Sequence, residues 1–481
     1  MKKLLFCFMA LTMMTSFSSC KWIDSWFNPN KPNLQNEKRC NIVTERIKVP
    51  RKNGQDSLTI QRSWCQNEFI ISYCTDDTSV KRAIHHYLDS LKYELRSTCA
   101  CSNQLELWYS PVGLIPDGDD VKKKEGPVTS AGWEIMRNFL TTEPTDSTEF
   151  LASSGDNIKL RSNYFTGYKP TTKVIVAIDD SGVDEVDDIL NPVLYRNQPP
   201  LLFCGTSTPE GQVGMNILKV SRGELSSEPS DIDGHGTFIG GIVAGAAEPK
   251  DFVCDNQSVQ VEQIHARFVT KRGISGDLFS ALCGVHYAIN KGAQVINTSW
   301  RVRTASPKEE DTLRRIFCPT LQAIKYANIL MVTGAGNDTM DLDGVGKAWP
   351  AAFATFVAGQ KDYSDHVISV GAWNTSLDKI AYFSNYGSFV NIYAQGTDIS
   401  STGFDNRTTP FIHNRPKTGK GTSYSAPFVS RTAAILMGLH PRTGAKKVKA
   451  FILKYSKDRP EKDVIMLDVG NIMGNHVANL R

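Results

Sequence analysis

The chain has 481 residues, 41% of them hydrophobic and 22% charged, with a formal net charge of +4. That composition excludes a disordered polyelectrolyte, and the length leaves room for more than one domain. The small charge, part of it carried by Lys2 and Lys3, leaves no field that would point to nucleic acid as a partner.

Met1-Lys2-Lys3 is a short basic region, and the apolar run Leu4 to Phe17 follows it without a charge. The run is shorter than the ~20 apolar residues that span a bilayer, so residues 1–19 read as an export signal. Phe17-Ser18-Ser19-Cys20 resembles a bacterial lipobox, with Phe17 in place of the usual Leu. The resemblance implies lipidation of Cys20 and attachment to a membrane at the cell envelope of a bacterium. A plain cleavable signal, with Cys20 an ordinary thiol, is the alternative. Residues 20–39, rich in Asn, Lys and Pro, read as a tether. Setting aside Cys7 and Cys20, the 11 cysteines leave an odd number, so at least one stays free or pairs between chains. Cys99-Ala100-Cys101 has no second pair at zinc-site spacing, which argues against a metal.

Residues 40–165 form a first region. Asn67–Cys74 and Gln104–Tyr109 read as strands. Between them Thr78–Leu91 carries Val80, Ile84, Tyr87, Leu88 and Leu91 at helical spacing. This is a small α+β unit, and the Thr-, Ser-, Asp- and Gly-bearing stretch Pro144–Asp156 reads as the linker after it.

From Thr171 the pattern changes. Lys173–Ile178 is a near-continuous apolar run, as expected of a strand buried on both faces. Similar runs stand at Val259–Val269, Gln294–Ile296, Ile329–Val332 and Val367–Val370. Helical stretches lie between them at Ser275–Lys291 and Asp311–Ala327. Alternating strands and helices predict an α/β fold of three layers, with a mostly parallel central sheet covered on both sides. Functional groups should then gather at the carboxyl ends of the strands.

Asp180-Ser181-Gly182 stands at the end of the first such strand. A carboxylate there can fix the tautomer of an imidazole and stabilise its charged form. Asp179 is adjacent, but successive strand residues face opposite sides, so one of the two is chosen: Asp180, two residues before Gly182. Gly234-His235-Gly236-Thr237 opens a helical segment, with glycines that allow close backbone approach. His265, His286, His85 and His86 lack that setting. Gly421-Thr422-Ser423-Tyr424-Ser425-Ala426-Pro427 begins another helix, Phe428–Leu439. A serine at a helix start sits among unpaired N–H groups and the positive end of the dipole, where an oxyanion is stabilised. An ordinary N-cap serine accounts for neither the preceding Gly-Thr nor Pro427. Asn337, after Gly334-Ala335-Gly336, can supply a second donor to that oxyanion.

Taken together, these residues make the chain similar to the subtilisin-like serine peptidases, whose triad runs in the order Asp, His, Ser. The resemblance extends from about Thr171 to Gly474, within a peptidase domain placed at residues 166–474. Gly292 to Trp300 is similar to the family strand that lines the substrate cleft, and Ala381–Gly387 and Val390–Thr402 to later framework segments. The resemblance implies a fold of subtilisin type and endopeptidase chemistry through an acyl-enzyme. It implies a triad of Asp180, His235 and Ser423, an oxyanion donor in Asn337, and substrate contacts at Ser299, Trp300, Gly334 and Gly336. Residues 40–165 are similar in architecture to the family's propeptide, an unrelated interaction domain being the alternative. Protein or peptide substrates are expected as partners besides the membrane. No cofactor is needed for the chemistry; structural calcium is allowed, but the family's calcium sites are not assignable here. Arg301 departs from the family's usual Gly and should narrow the cleft or favour acidic substrate side chains. A binding lipoprotein that no longer turns over is the alternative function.

Overall fold

A computed structural model of the chain describes residues 42–50, 57–116, 132–141, 147–150, 171–196, 201–203, 206–208, 212–217, 228–246, 259–269, 276–344, 346–357, 361–405, 412–459 and 464–480. All of them lie in one compact unit, Asn41–Arg481. The export signal, Cys20 and the tether expected at residues 1–39 lie outside the described residues.

The first region is built on an antiparallel sheet. β1 (Ile42–Pro50) pairs with β2 (Ser57–Tyr73), and helix α1 (Thr78–Ser90) follows. After it come β3 (Glu94–Thr98), β4 (Leu105–Tyr109) and β5 (Trp133–Phe139), in the order β1-β2-β4-β3 with β5 paired to β2. The Asp77 side chain caps α1 by accepting from the Ser79 N–H, and Val80, Ile84 and Leu88 form its buried stripe. β2 begins ten residues before the apolar run Asn67–Cys74 that marks it in the sequence. Its polar first half pairs with the partly exposed β1, so only its second half carries the signature of burial.

The second region is the expected three-layer α/β structure. In chain order it holds β6 (Thr172–Asp180), β7 (Gly214–Asn216), α2 (His235–Ala244), β8 (Val259–Arg267), α3 (Leu278–Asn290) and β9 (Val295–Thr298). Then come α4 (Pro307–Ile316), α5 (Cys318–Tyr326), β10 (Leu330–Gly334), β11 (Val367–Asn374) and β12 (Ile392–Gln395). The long helix α6 (Thr422–Leu439), α7 (Ala445–Tyr455), β13 (Lys457–Arg459), β14 (Val464–Met466) and α8 (Val469–Asn479) complete it. The central sheet runs β7-β8-β6-β9-β10-β11-β12-β14-β13, parallel along the whole path from β7 to β14.

One expected helix, Asp311–Ala327, is two. α4 ends and α5 begins around Phe317, because Pro319 in the first turn of α5 has no N–H to continue the helical ladder. The two faces of the sheet are covered by different apolar layers. Val174, Val176, Ile178, Val332 and Val370 pack with α2 and α6. Ala177, Ile296 and Met331 pack with α3 and α5, in a cluster that also takes in Ile70, Leu107 and Met136 of the first region.

Candidate active site

β6 ends on two consecutive carboxylates, and the alternation of its apolar residues continues through them. Asp180 follows Val176 and Ile178 to the α2 side, where its Oδ1 lies 2.8 Å from His235 Nδ1 and accepts from the Ser181 N–H at 2.7 Å. Asp179 follows Ala177 to the α3 side and packs against Gly284, where a Cβ would collide with it. Its Oδ2 accepts from the Trp300 indole at 2.9 Å. Complete burial pushes the Asp179 carboxyl well above the usual carboxylate range. With the Asp180 carboxylate accepting at Nδ1, the basic lone pair of His235 is on Nε2.

His235 is the first residue of α2, and a buried network sets its position. Gly236 packs onto the Gly182 carbonyl so closely that no Cβ fits, and its N–H donates to Ser181 Oγ at 2.8 Å. Ser181 Oγ in turn donates to Asp231 Oδ1 at 2.9 Å. The same carboxylate accepts from the N–H groups of Asp233 and Gly234, each at 2.9 Å. Its other oxygen accepts from the Thr237 N–H at 2.9 Å and the Thr237 hydroxyl at 2.7 Å. Burial alone would raise the pKa of Asp231, but hydrogen bonds from Thr237, Gly234 and Asp233 outweigh it and hold the carboxyl below its ordinary value. Asp231 belongs to none of the sequence motifs. Its signal is an Asp three residues before the glycine that opens a helix, where its oxygens reach the first-turn N–H groups.

Ser423 is the second residue of α6 and is buried. Its Oγ lies 3.3 Å from the Ser299 carbonyl, and Ser299 Oγ donates back to the Ser423 carbonyl at 3.1 Å. Pro427 explains that second bond. Four residues on, it has no N–H for the Ser423 carbonyl, which turns to Ser299 instead. Asn297 Nδ2 donates to Ser299 Oγ at 3.0 Å, and Ser430 Oγ donates to Asn297 Oδ1 at 2.9 Å, which ties α6 to the end of β9. The Tyr424 ring stands 5.3 Å from that of His235, so the start of α6 and the start of α2 meet.

Asn337 is fastened to the residue before Ser423. Its Oδ1 accepts from the Thr422 N–H at 2.9 Å, and the Gly336 N–H donates to Thr422 Oγ1 at 3.0 Å. A backbone N–H can only donate, so the atom facing Thr422 is the carbonyl oxygen and the amide nitrogen is turned away. Gly334 packs on Thr422, where a Cβ would stand 3.2 Å from its carbonyl. Asn385 holds the rest of this loop, accepting from the N–H groups of Asp338 at 3.1 Å and Met340 at 3.0 Å and donating to the Ala335 carbonyl at 2.8 Å.

Trp300 is buried between Phe268 and Phe317, so only its backbone can meet a substrate. Arg301 is buried too, 3.0 Å from Asp338 Oδ1, and Arg303 pairs with the other oxygen of Asp338. The Arg301 side chain crosses over Gly336, whose Cβ position lies 3.3 Å from Arg301 Cδ. It thus spans the gap between the Ser299–Arg301 segment and the Gly334–Asn337 loop.

The other histidines stand elsewhere. Burial lowers His265 and His286 to about 4, so both are neutral at physiological pH. His85 pairs with Glu106 within the first region. Cys101 is disulfide-bonded and Cys99 is a buried free thiol, and among the described residues no group of His, Cys, Asp or Glu could hold a metal ion. Among the described residues no helix is long and apolar enough to cross a membrane.

Residues 171–470 match the model of the subtilase family. The chain is 28% identical over 225 residues to a subtilase-type proteinase of Saccharomyces cerevisiae, covering 46% of this chain and 39% of that protein. It is 29% identical over 234 residues to the thermostable alkaline protease of Halalkalibacterium halodurans, covering 47% of this chain and 54% of that one. The chain thus spans less than two thirds of either relative's length. Among solved structures, the keratinolytic enzyme fervidolysin from Fervidobacterium pennivorans, related to subtilisin, is similar at a TM-score of 0.58 and 15% identity. That likeness covers 85% of this chain and 61% of that one, and it concerns the fold.

Proposed function

Since this chain belongs to the subtilase family, we propose that it is a serine endopeptidase working through Asp180, His235 and Ser423. The observation that carries this reading is the meeting of two supports: the His235–Asp180 pair at 2.8 Å opens α2, and Ser423 opens the helix against which His235 packs. His235 Nε2 takes the Ser423 proton as Oγ attacks the peptide carbonyl. The resulting oxyanion lies against the Ser423 N–H and the Asn337 amide, whose nitrogen is turned away from Thr422. His235 then gives the proton to the leaving amine, and water hydrolyses the acyl-enzyme. A fluorophosphonate probe should label the protein, and Ser423→Ala should abolish labelling without loss of fold. Labelling that persists would assign the nucleophile elsewhere; a folded wild-type protein that neither labels nor hydrolyses casein would make the chain a binding protein on this scaffold.

The protein or peptide that is cut passes between the Ser299–Arg301 segment and the Gly334–Asn337 loop. Arg301 fills part of that gap with its charge met by Asp338, so its bulk, more than its charge, restricts the residue before the cut. No cofactor takes part in these steps; structural calcium would show as a chelator-dependent fall in thermal stability. Residues 40–165 act as a propeptide-like domain ahead of the peptidase domain at 166–474. The sequence at Phe17–Cys20 supports export and lipid anchoring, which a lipid-analogue label lost in Cys20→Ala would test.

A further inference from the structure

The first region meets the peptidase region on the face of the sheet opposite the candidate site. Ser72 of β2 donates to the Ile316 carbonyl at 2.9 Å. The buried Arg62 sets Nη1 and Nη2 on the two carboxylate oxygens of Glu309, at 2.5 and 3.0 Å. Asn138 accepts from the Phe279 N–H at 3.2 Å, and Thr141 donates its N–H to the Gly276 carbonyl at 2.9 Å. Ile70, Leu107 and Met136 share one apolar cluster with Leu282, Tyr287 and Phe317. At the edge of this interface Cys74, just past β2, and Cys318, the first residue of α5, form a disulfide with Cα atoms 5.6 Å apart across 244 residues of sequence. Cys99 and Cys283 face each other across the same boundary as buried thiols.

We infer that the first region is a permanent half of the enzyme, held to the peptidase region by Cys74–Cys318 and retained after any cut in the chain between them. A piece held by side-chain contacts alone is diluted away once the chain is cut. A covalently tied piece stays at an effective concentration of about millimolar, so its contacts with α3, α4 and α5 persist. Release of the first region is thereby replaced by a two-chain product joined through Cys74 and Cys318. The inference rests on the propeptide-like reading only for the occasion of the cut; the tie itself does not depend on it.

The test supplies the cut from outside, so that it is independent of any activity of Ser423. A viral-protease recognition sequence is inserted between residues 155 and 160 of the full chain, in both Ser423 and Ser423→Ala backgrounds, and the purified protein is cleaved without reductant. On a denaturing gel the cleaved protein should run as one band without reductant and as two with it, and a non-reduced digest should yield the peptide pair joined through Cys74 and Cys318. Cys99→Ala with Cys283→Ala should leave the pieces joined. Two bands from the cleaved native-cysteine protein without reductant would overturn the inference. So would a digest in which Cys74 or Cys318 is found with another partner, a readout that needs no variant to fold.

Discussion

The two faces of the central sheet have been put to opposite uses, and the tip of β6 shows it in two adjacent residues. On the α2–α6 face Asp180 joins a continuous polar network: His235, Ser181 and, through Ser181, Asp231. On the α3 face Asp179 has a single hydrogen bond, from Trp300, within an apolar layer shared with the first region. The same functional group is thus bound into a hydrogen-bond network on one side and pushed toward its neutral form by burial on the other. A parallel sheet buried on both faces allows this, because alternate residues of one strand enter different environments.

The sharpest way to break the comparison is to make the same substitution on both faces. Asp180→Asn should lower kcat/KM for a chromogenic peptide on the order of 10⁴-fold, by turning the imidazole to the wrong tautomer. Asp179→Asn should change it by less than about threefold, since an amide replaces a carboxyl that burial already drives to its neutral form. The pH dependence follows the sign of the shift. A carboxyl with a raised pKa in the fold contributes its stability below the unfolded value near 4 and loses it as pH rises. Asp179→Asn should therefore raise the urea midpoint at pH 7 relative to wild type and leave it nearly unchanged near pH 3. Equal losses of activity in the two variants would break the division between the faces.

The next effect tests the loop that wraps Thr422. Asn337→Ala should reduce kcat by roughly 10²- to 10³-fold with little change in KM, a magnitude measured in subtilisin itself. A rise in KM alone would make Asn337 a substrate-binding group. Behind the site, Asp231→Asn should cost on the order of 3 kcal/mol at pH 7, read as a lower urea midpoint, because a charged acceptor of five hydrogen bonds is replaced. Here the sign is opposite to that of Asp179. The folded pKa is depressed, so the contribution is present above the unfolded value and is lost as pH falls through the folded one. The gap between variant and wild type should close in acid. Arg301→Gly should have the smallest effect: a shift of a few fold in kcat/KM toward bulkier residues before the cut in a peptide library. An unchanged profile would place the Arg301–Asp338 pair outside the substrate's path.

The peptidase fold was legible because its strands are buried on both faces and so appear as unbroken apolar runs such as Lys173–Ile178. β2 was half legible, since its first half is polar and gains order from pairing with β1. The break between α4 and α5 was readable in principle, at Pro319. The motif glycines and the residues between them were visible because small residues and a nucleophile at a helix start are unusual together. Asp231 and Asn385 were not legible, because each works on backbone N–H groups several residues away or across the fold, and a lone Asp or Asn in a loop carries no pattern.

By itself the sequence determined the alternation of strands and helices after Thr171, the family, and the motif residues that chemistry would need, since each is written in local periodicity or in a short run of residue types. Tertiary structure alone decided which residues meet. It brought Asp180 to His235 across 55 residues, hung Asn337 on Thr422 across 85, and tied Cys74 to Cys318 across 244. It also decided that Arg301 meets Asp338 and that Trp300 is buried against Asp179. The physical reason is that hydrogen bonds, ion pairs and disulfides act at distances of a few ångströms, and only the packed sheet and helices bring residues so far apart in the chain within that reach.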